Sequence, residues 1–502
     1  MLQLSVSNSS KVNLILTFAT CSLVLLQLSY SQFMMDSIRF ENSDKNIPIH
    51  SKQTYCKAFI DAVAKLNRNV RWAALFFLNP SERPQKKENY GFKSIKAAPP
   101  VKELKHFEDG LSKLTQNLEF KPRSNQFQAG LKKEINKVNK SNKVYVPADK
   151  TSNTYLLEPQ KYKDLLDKNV QKDYKKEDPK NIEKVDDVHR KIVKELDIHE
   201  RVFETTKRKA FFTLKDHKTN FASNPQVRVL NPTKPELGKV SKKILEKIVK
   251  AVKSKTKLVL WKNSYELIED FKKINNKKGC KFIQYDIDNY YGSISLELLE
   301  NTLDWAANFV DISPQEREII LETKRSFLYT GDTAWVKKGN SQFNIAMGAF
   351  DGAETTDIVG LYLLSQLKEI SENSDFEISN NLYRDDGLSW TNATARTTEK
   401  IKQKIANVFK RNGLNVSIVA NSKQVDFLDV TLNMDTGVFK PFIKPGDKPL
   451  YVNSDSNHPP CVIKNIPKGI NQRLSSISSS KEVFDRAAPL YQSELDRIGY
   501  TH

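Results

Sequence analysis

The sequence predicts an α+β fold, in which strands and helices mix without the regular alternation of a doubly wound sheet. Three observations carry this. Short strand-like runs, rich in apolar residues, occur at 211–214, 227–230, 282–287, 381–390 and 425–432. Longer stretches with helical periodicity precede them and lie between them. The run at 282–287 and the hairpin-like run at 381–390 are far enough apart for helices to lie between two central strands.

The elements follow in order. Lys11 precedes an apolar run from Val12 to Leu28, interrupted by Asn13, Thr17, Thr20, Ser22 and Gln27, with Ser29-Tyr30-Ser31 behind it. The pattern is that of a secretory signal, and it is short of the roughly 20 residues that a membrane span needs. Three readings of residues 1–32 stay open. They are a signal or anchor, an ordinary packed helix, or a gene-model artefact with the true start at Met34 or Met35.

A helical extension is expected over residues 50–144. Tyr55–Ala64 begins a helix with Phe59, Ile60, Val63 and Leu66 on one side. Pro80 and Pro84 mark a loop at 79–88, and Pro99-Pro100 a second break. Leu104, Phe107, Leu111, Leu114 and Leu118 form one apolar stripe. The charged region 161–200 reads as helices with solvated faces, carrying Leu165, Leu166, Val170, Ile182, Val185, Val188, Ile192 and Leu196 inward. Two short strands at 211–214 and 227–230 flank a basic loop with Pro225. A glycine-rich turn and an apolar helix occupy 341–367, and an amphipathic helix 401–413. The run 425–432 reads as one strand.

A chain of 502 residues is long enough for about three structural units. Its 80 basic and 60 acidic side chains give a formal charge of +20. That excess points to a polyanionic partner, nucleic acid or an anionic membrane surface, unless it serves solubility alone. Cys21, Cys56, Cys280 and Cys461 form no C-x-x-C pair and have no nearby histidine pair. This excludes a zinc finger, argues against a disulfide framework, and fits a reducing compartment.

The chemistry-bearing residues are carboxylates. In Lys281-Phe282-Ile283-Gln284-Tyr285-Asp286-Ile287-Asp288, alternation puts Phe282, Gln284, Asp286 and Asp288 on one face and Ile283, Tyr285 and Ile287 on the other. An acid ending an apolar strand needs a partner, and a divalent cation is a natural one. In Tyr383-Arg384-Asp385-Asp386-Gly387, Asp-Gly suits a type I′ hairpin turn, which would place both acids in a turn. Carboxylates from two separate strands can bridge a pair of metal ions, as attack of a 3′-hydroxyl on an α-phosphate requires.

Here a resemblance becomes plain. Asp286-Ile287-Asp288-Asn289-Tyr290-Tyr291-Gly292-Ser293-Ile294 resembles the first palm motif of reverse transcriptases, an aspartate followed five residues later by an aromatic. Tyr383-Arg384-Asp385-Asp386 resembles their Y-x-D-D motif. The resemblance implies an RNA-directed DNA polymerase with the right-hand polymerase fold. Its fingers would span 145–275, a palm with an antiparallel sheet 276–436, and a thumb-like region 437–502. Asp286, Asp385 and Asp386 would hold two Mg²⁺ ions, or Mn²⁺, with the backbone carbonyl of Ile287 as a further ligand. Tyr291 would reject the 2′-hydroxyl of an incoming nucleotide. Asp288 stays outside the metal set. Strand alternation turns Arg384 away from Asp385, so it is expected to brace the palm.

The surrounding motifs extend the likeness over about residues 145–475. Met347-Gly348-Ala349-Phe350-Asp351-Gly352-Ala353 is similar to the family's Q-G-x-x-x-S-P turn, with Met347 in place of the glutamine and Gly352-Ala353 in place of Ser-Pro. Gly348 would let a backbone approach the nascent base pair closely. Leu214-Lys215-Asp216-His217-Lys218 and Pro225-Gln226-Val227-Arg228-Val229-Leu230 resemble the finger motifs, so Arg228 and Lys215 would grip the triphosphate. Gly413-Leu414 and Lys423 resemble the fourth palm motif, with Lys423 near the leaving pyrophosphate. Val425–Leu432 resembles the primer-grip hairpin. Pro147-Ala148-Asp149-Lys150, Phe427-Leu428-Asp429, and Ser456-Asn457-His458-Pro459-Pro460 with Lys464, Ile466 and Arg473 are similar to segments of Penelope-like retroelements.

The expected partners are an RNA or DNA template with primer and deoxynucleoside triphosphates. An intracellular setting, nucleus or cytoplasm, goes with them, without stable membrane association if the N-terminal run is artefactual. The alternative is a decayed or domesticated relative that binds nucleic acid without polymerising. A secreted or membrane-anchored protein with coincidental motifs is the reading from outside the class.

Overall fold

The computed structural model describes residues 37–39, 46–48, 52–82, 90–92, 96–116, 140, 142–149, 154–199, 202, 208–216, 221, 224–339, 342–346, 348–444, 449, 451–454 and 460–500. The signal-like run at 12–28, both candidate start methionines, Lys150, His217, Lys218, Met347 and the 456–459 segment lie outside the described residues. Among the described residues no helix is long and apolar enough to cross a membrane.

A small hairpin, β1 (Ser37–Arg39) and β2 (Asn46–Pro48), precedes the helix α1 (Lys52–Leu78). A single 3-10 turn at Lys102–Leu104 leads into α2 (Lys105–Gln116). Val70 and Ala74 of α1 pack on Leu104, Phe107 and Leu111 in a core of their own, whereas Ile60 and Leu114, expected on the apolar stripes, are exposed. Arg71 fastens the pair with a forked ion pair to Glu108.

Next come β3 (Val144–Pro147), β4 (Thr154–Leu157), α3 (Pro159–Asp173), β5 (Tyr174–Lys176), α4 (Pro179–Glu195), β6 (Phe211–Leu214) and β7 (Val227–Leu230). Proline opens α3 and α4, where its missing N–H costs nothing, and the Asp178 carboxylate caps α4 through the Lys180 N–H. The β3–β4 and β6–β7 hairpins close over Val146, Leu166, Val170, Phe212 and Leu214.

The centre is built from α5 (Gly238–Thr256), α6 (Ser264–Lys272), β8 (Lys281–Ile287), α7 (Tyr290–Ser293), α8 (Leu296–Ala307), α9 (Pro314–Glu322), β9 (Leu328–Thr330), β10 (Thr333–Lys337), α10 (Gly352–Glu372), β11 (Ile378–Tyr383), β12 (Asp386–Thr391), α11 (Ala395–Arg411) and β13 (Val416–Ser422). Side-chain caps start most of these helices: Asn263, Ser295 and Thr394 on α6, α8 and α11, and a full Ser313–Glu316 capping box on α9. The chain closes with β14 (Gln424–Phe427), β15 (Val430–Asn433), β16 (Phe439–Pro441), α12 (Pro460–Ser476) and α13 (Lys481–Arg497).

A four-stranded antiparallel sheet, ordered β11-β12-β8-β13, organises the centre. Its two faces meet different cores. Ile283, Tyr285 and Ile287 pack with α5, α8, α10 and α11. Phe282 and Leu388 pack on the other face with Trp261, Leu267, Phe271, Val425 and Phe427.

One expectation needs correction. The run 425–432 is two strands, broken at Leu428, whose φ is +55°, and Asp429. The helices α5 and α6, which precede residue 276, pack beside β8 in the two central cores. Strand β16, which follows residue 437, pairs with β15. The strands β5, β9 and β10, which form a separate sheet, were not anticipated.

Candidate active site

The register of the central sheet fixes the site. Asp286 lies directly opposite Asp386 of β12 on one side and Ser417 of β13 on the other. Facing Cβ atoms in such a ladder are about 4.5–5.5 Å apart. One row further in stand Leu388, Gln284 and Val419, and beyond them Trp390 and Phe282. Cover falls away along this face. Phe282 and Leu388 are buried, Gln284 is half-buried with its amide donating to the Asp426 carbonyl at 3.0 Å, and Asp286 is exposed. The apolar core thus ends one row before the acids, with Asp286 and Asp385 exposed and Asp386 half-buried.

The hairpin that carries the other acids departs from expectation. Tyr383 pairs with Asp386, so the turn consists of Arg384 and Asp385, with Arg384 at φ +57°. Asp386 is the first residue of β12, not a turn residue, and Gly387 is a strand residue opposite Tyr285. A Cβ on Gly387 would stand 1.9 Å from the Tyr285 ring. The glycine is there to admit an aromatic ring, not to supply a left-handed turn. The Asp385 carbonyl accepts the Ile287 N–H at 2.9 Å, which carries the β8 ladder one step past Asp386. Asp286, Ile287, Asp385 and Asp386 therefore occupy one end of the sheet.

Arg384 points to the helical layer, as alternation predicted. Its Nη1 donates to the Ala353 carbonyl at 2.6 Å, to Thr356 Oγ1 at 3.1 Å and to the Asp357 carboxylate. Burial raises the Asp357 pKa, and Arg384 with Lys253 opposes that rise. Burial also lowers the pKa of Lys253. A guanidinium clamp thus ties the acid-bearing turn to the first turns of α10.

Tyr291 is half-buried on α7, edge-on to the buried Tyr290. Its ring stands 3.5 Å from where a Cβ on Gly352 would be, so it meets the entrance of α10. Gly348, at φ +89°, lies on the loop into that helix. Lys234, which sequence reasoning passed over, brings its ammonium to 3.8 Å from the place of a Gly348 Cβ and lies over the Phe350 ring. Also passed over was the buried Lys324, bonded to the Asp351 carboxylate just ahead of α10. Burial lowers the Lys324 pKa and Asp351 opposes the change. Nothing local in a Lys-Arg-Ser or Phe-Asp-Gly string signals that pairing.

Arg228 and Lys215 lie on the β6–β7 hairpin and its continuation. Arg228 pairs with the nearly buried Asp149 at 3.2 Å, and the Lys215 N–H donates to the Gln226 carbonyl. Lys423 does not join the acids. It lies six residues past Ser417, about 20 Å along an extended chain, and its ammonium is held by the Lys278 and Cys280 carbonyls. Its sequence neighbourhood matched a motif, but the strand runs away from the site.

Among the described residues no three His, Cys, Asp or Glu side chains converge as a protein-only metal cage. The arrangement present, two opposed carboxylates at a solvent-open sheet end and a third acid in the adjoining turn, fits the looser demand of Mg²⁺. That ion takes one or two carboxylates and completes its shell with water and phosphate oxygens.

No protein-family model matches the sequence, and no curated protein is similar to it. The fold itself is polymerase-like. The likeness is to telomerase from Candida albicans, solved in complex with a TWJ fragment of telomeric RNA: the TM-score is 0.50 at 11% identity, over 99% of this chain and 89% of that one. Apo telomerase from Candida tropicalis, truncated from the C-terminal domain, matches with a TM-score of 0.44 at 11% identity, over 78% of this chain and 91% of that one. The BmCPV RNA-dependent RNA polymerase in its elongation state gives 0.32 at 12%, over 48% and 22%.

Proposed function

We propose that this chain is a template-directed nucleic-acid polymerase of the reverse-transcriptase kind, derived from a retroelement and nearest in motif to the Penelope-like elements. The observation that carries it is the register: Asp286 and Asp386 face each other on the open end of a central sheet, with Asp385 in the turn between β11 and β12. Asp286, Asp385, Asp386 and the Ile287 carbonyl are the residues that would hold two divalent ions, Mg²⁺ or Mn²⁺. Such ions, when bound, supply polarisation of the attacking oxygen and neutralisation of the leaving one.

The chain's own residues do the positioning. Tyr291, against Gly352, is placed to select at the sugar of an incoming deoxynucleoside triphosphate. The open Gly348 turn gives a base pair room. Arg228, aligned by Asp149, is assigned with Lys215 to the triphosphate, whose oxygens match a guanidinium fork. The positive surface would hold template and primer through their phosphates, in the nucleus or cytoplasm. Lys423 is assigned no part in the chemistry.

Extension of an annealed primer on paired RNA and DNA templates tests this. Activity on RNA, lost in Asp286→Asn and Asp385→Asn, is expected; no extension with either Mg²⁺ or Mn²⁺ overturns it. A second reading, a nucleic-acid binder without activity, draws on the displaced Lys423. Tight binding of template–primer with no dependence on metal would favour that one.

A further inference from the structure

The lysine-rich helices of this chain are not alike. On α5, Lys239, Lys242, Lys243 and Lys247 are each matched by a carboxylate: Glu236, Glu354, Glu246 and Glu316. That half of α5 is an ordinary solvated face, with mixed signs and short-range pairs; further along the helix Lys250 and Lys255 are exposed and make no ion pair with a carboxylate among the described residues. On α11 the outward residues Arg396, Lys400, Lys404, Lys410 and Arg411 are all exposed, and none of them is paired with a carboxylate among the described residues. Glu399, the acid of this helix, is already engaged by Lys402 at 3.6 Å and by the Asn421 amide at 2.8 Å. The result is a stripe of one sign, about 22 Å long at 1.5 Å per residue.

Helix stability does not account for the stripe. Lys410 and Arg411 in the last turn complement the helix dipole, but Arg396 sits in the first turn, where a cation is unfavourable and where α11 has no acid. Beside the stripe is an open groove of about 620 Å³, lined by Ile370, Lys404, Asn407, Val408, Lys410 and Arg411. It has cations at its rim, and its apolar patches could take a base or a sugar. The position also separates it from the acids. Ile401, Ile405, Val408 and Phe409 pack into the core with Tyr285, on the face of the sheet opposite Asp286.

We propose that the outer face of α11 is a second nucleic-acid docking surface, which holds a single strand by its phosphates, without reading sequence, on the back of the sheet that bears the acids. A membrane surface fits less well, because the apolar side of α11 is spent in the core and cannot enter a bilayer. The site goes beyond the polymerase reading and does not depend on it.

The test uses the full chain and a fluorescein-labelled 20-nucleotide oligouridylate, read by anisotropy between 50 and 200 mM salt. Replacing Arg396, Lys400, Lys404, Lys410 and Arg411 together by Gln should weaken binding about tenfold or more at 150 mM and reduce the slope of log K against log salt by about 3.5, five phosphates at 0.7 each. Replacing the paired Lys239, Lys242, Lys243 and Lys247 by Gln should change binding less than about twofold, since those charges are already neutralised. Because the fivefold variant could fold poorly, acetylation of the unaltered protein is mapped with and without the RNA: Lys400, Lys404 and Lys410 should be protected. Equal losses from both helices, an unchanged slope, absence of protection, or binding to phosphatidylserine vesicles in place of RNA would each overturn the proposal. A chain that extends no primer but shows this footprint would remove the polymerase reading and leave the stripe standing.

Discussion

Gly387 shows how one residue can be read correctly for its presence and wrongly for its reason. Asp-Gly after a strand suggests a turn in which glycine takes positive φ. In the structure the positive φ belongs to Arg384, and Gly387 stands flat under the Tyr285 ring. The string could not show this, because the crowding comes from a strand about a hundred residues away. Gly387→Ala should therefore destabilise the fold by about 3 kcal/mol, the upper part of the range for overpacking, as measured by urea denaturation. The penalty should vanish in a Tyr285→Ala background. A persisting penalty there would mean that backbone conformation, not the ring, demands the glycine.

At the scale of elements, long periodic segments were legible and short paired ones were not. Helices α1, α2, α10 and α11 follow from apolar spacing, and β8 from alternation. The strands β5, β9 and β10 escaped because each is three to five residues long and β5 finds its partner only after the chain has passed through the central sheet's first strand. The acid-bearing hairpin was legible as a hairpin, and the direction of Arg384 followed from alternation, but its grip on α10 is purely tertiary. If that grip sets the height of Asp385 and Asp386, Arg384→Ala should cut kcat of primer extension about 10- to 100-fold, the size of effect that misplacement by an ångström has. Template–primer affinity should be unchanged, and Arg384→Lys should restore little, since the shorter lysine ends its ammonium one bond short of the place of Nη1. A fall in affinity with kcat intact would show instead that Arg384 contacts nucleic acid.

The packing of α4 on α9 gives a pH dependence of its own. His189 is buried on α4 and its Nε2 meets the Glu322 carbonyl at 3.1 Å. Burial lowers its pKa below the usual 6.5, with Glu322 opposing. In the window below about 6.5 the unfolded chain takes up a proton that the folded chain refuses. The stability from a neutral His189 is thus fully present above that value and is lost as pH falls towards the folded one. Urea midpoints measured between pH 7.5 and 5 should decline, and His189→Gln should flatten the decline; an equal slope in the variant would assign it to other groups.

For the molecule as a whole, the cores differ in how much they bury and how they connect. The central core joins α5, α8, α10 and α11 to the sheet, and shares β8 with the second core on the opposite face. Opening either would expose both. The helices α1 and α2 instead close over a core of six buried residues that includes none of the sheet, fastened by the half-buried Arg71–Glu108 pair. Local opening free energies follow the apolar area that an opening exposes. Native-state hydrogen exchange of the full chain should therefore resolve two levels. Amides of α1 and α2 should exchange through a low-energy opening, and those of β8, β12 and α10 only with global unfolding. Glu108→Gln should speed exchange in α1 and α2 while leaving the sheet unchanged. A single exchange level across all five elements would show that the N-terminal helices are locked into the central cores, and that the site at the sheet's open end is stabilised by the entire chain.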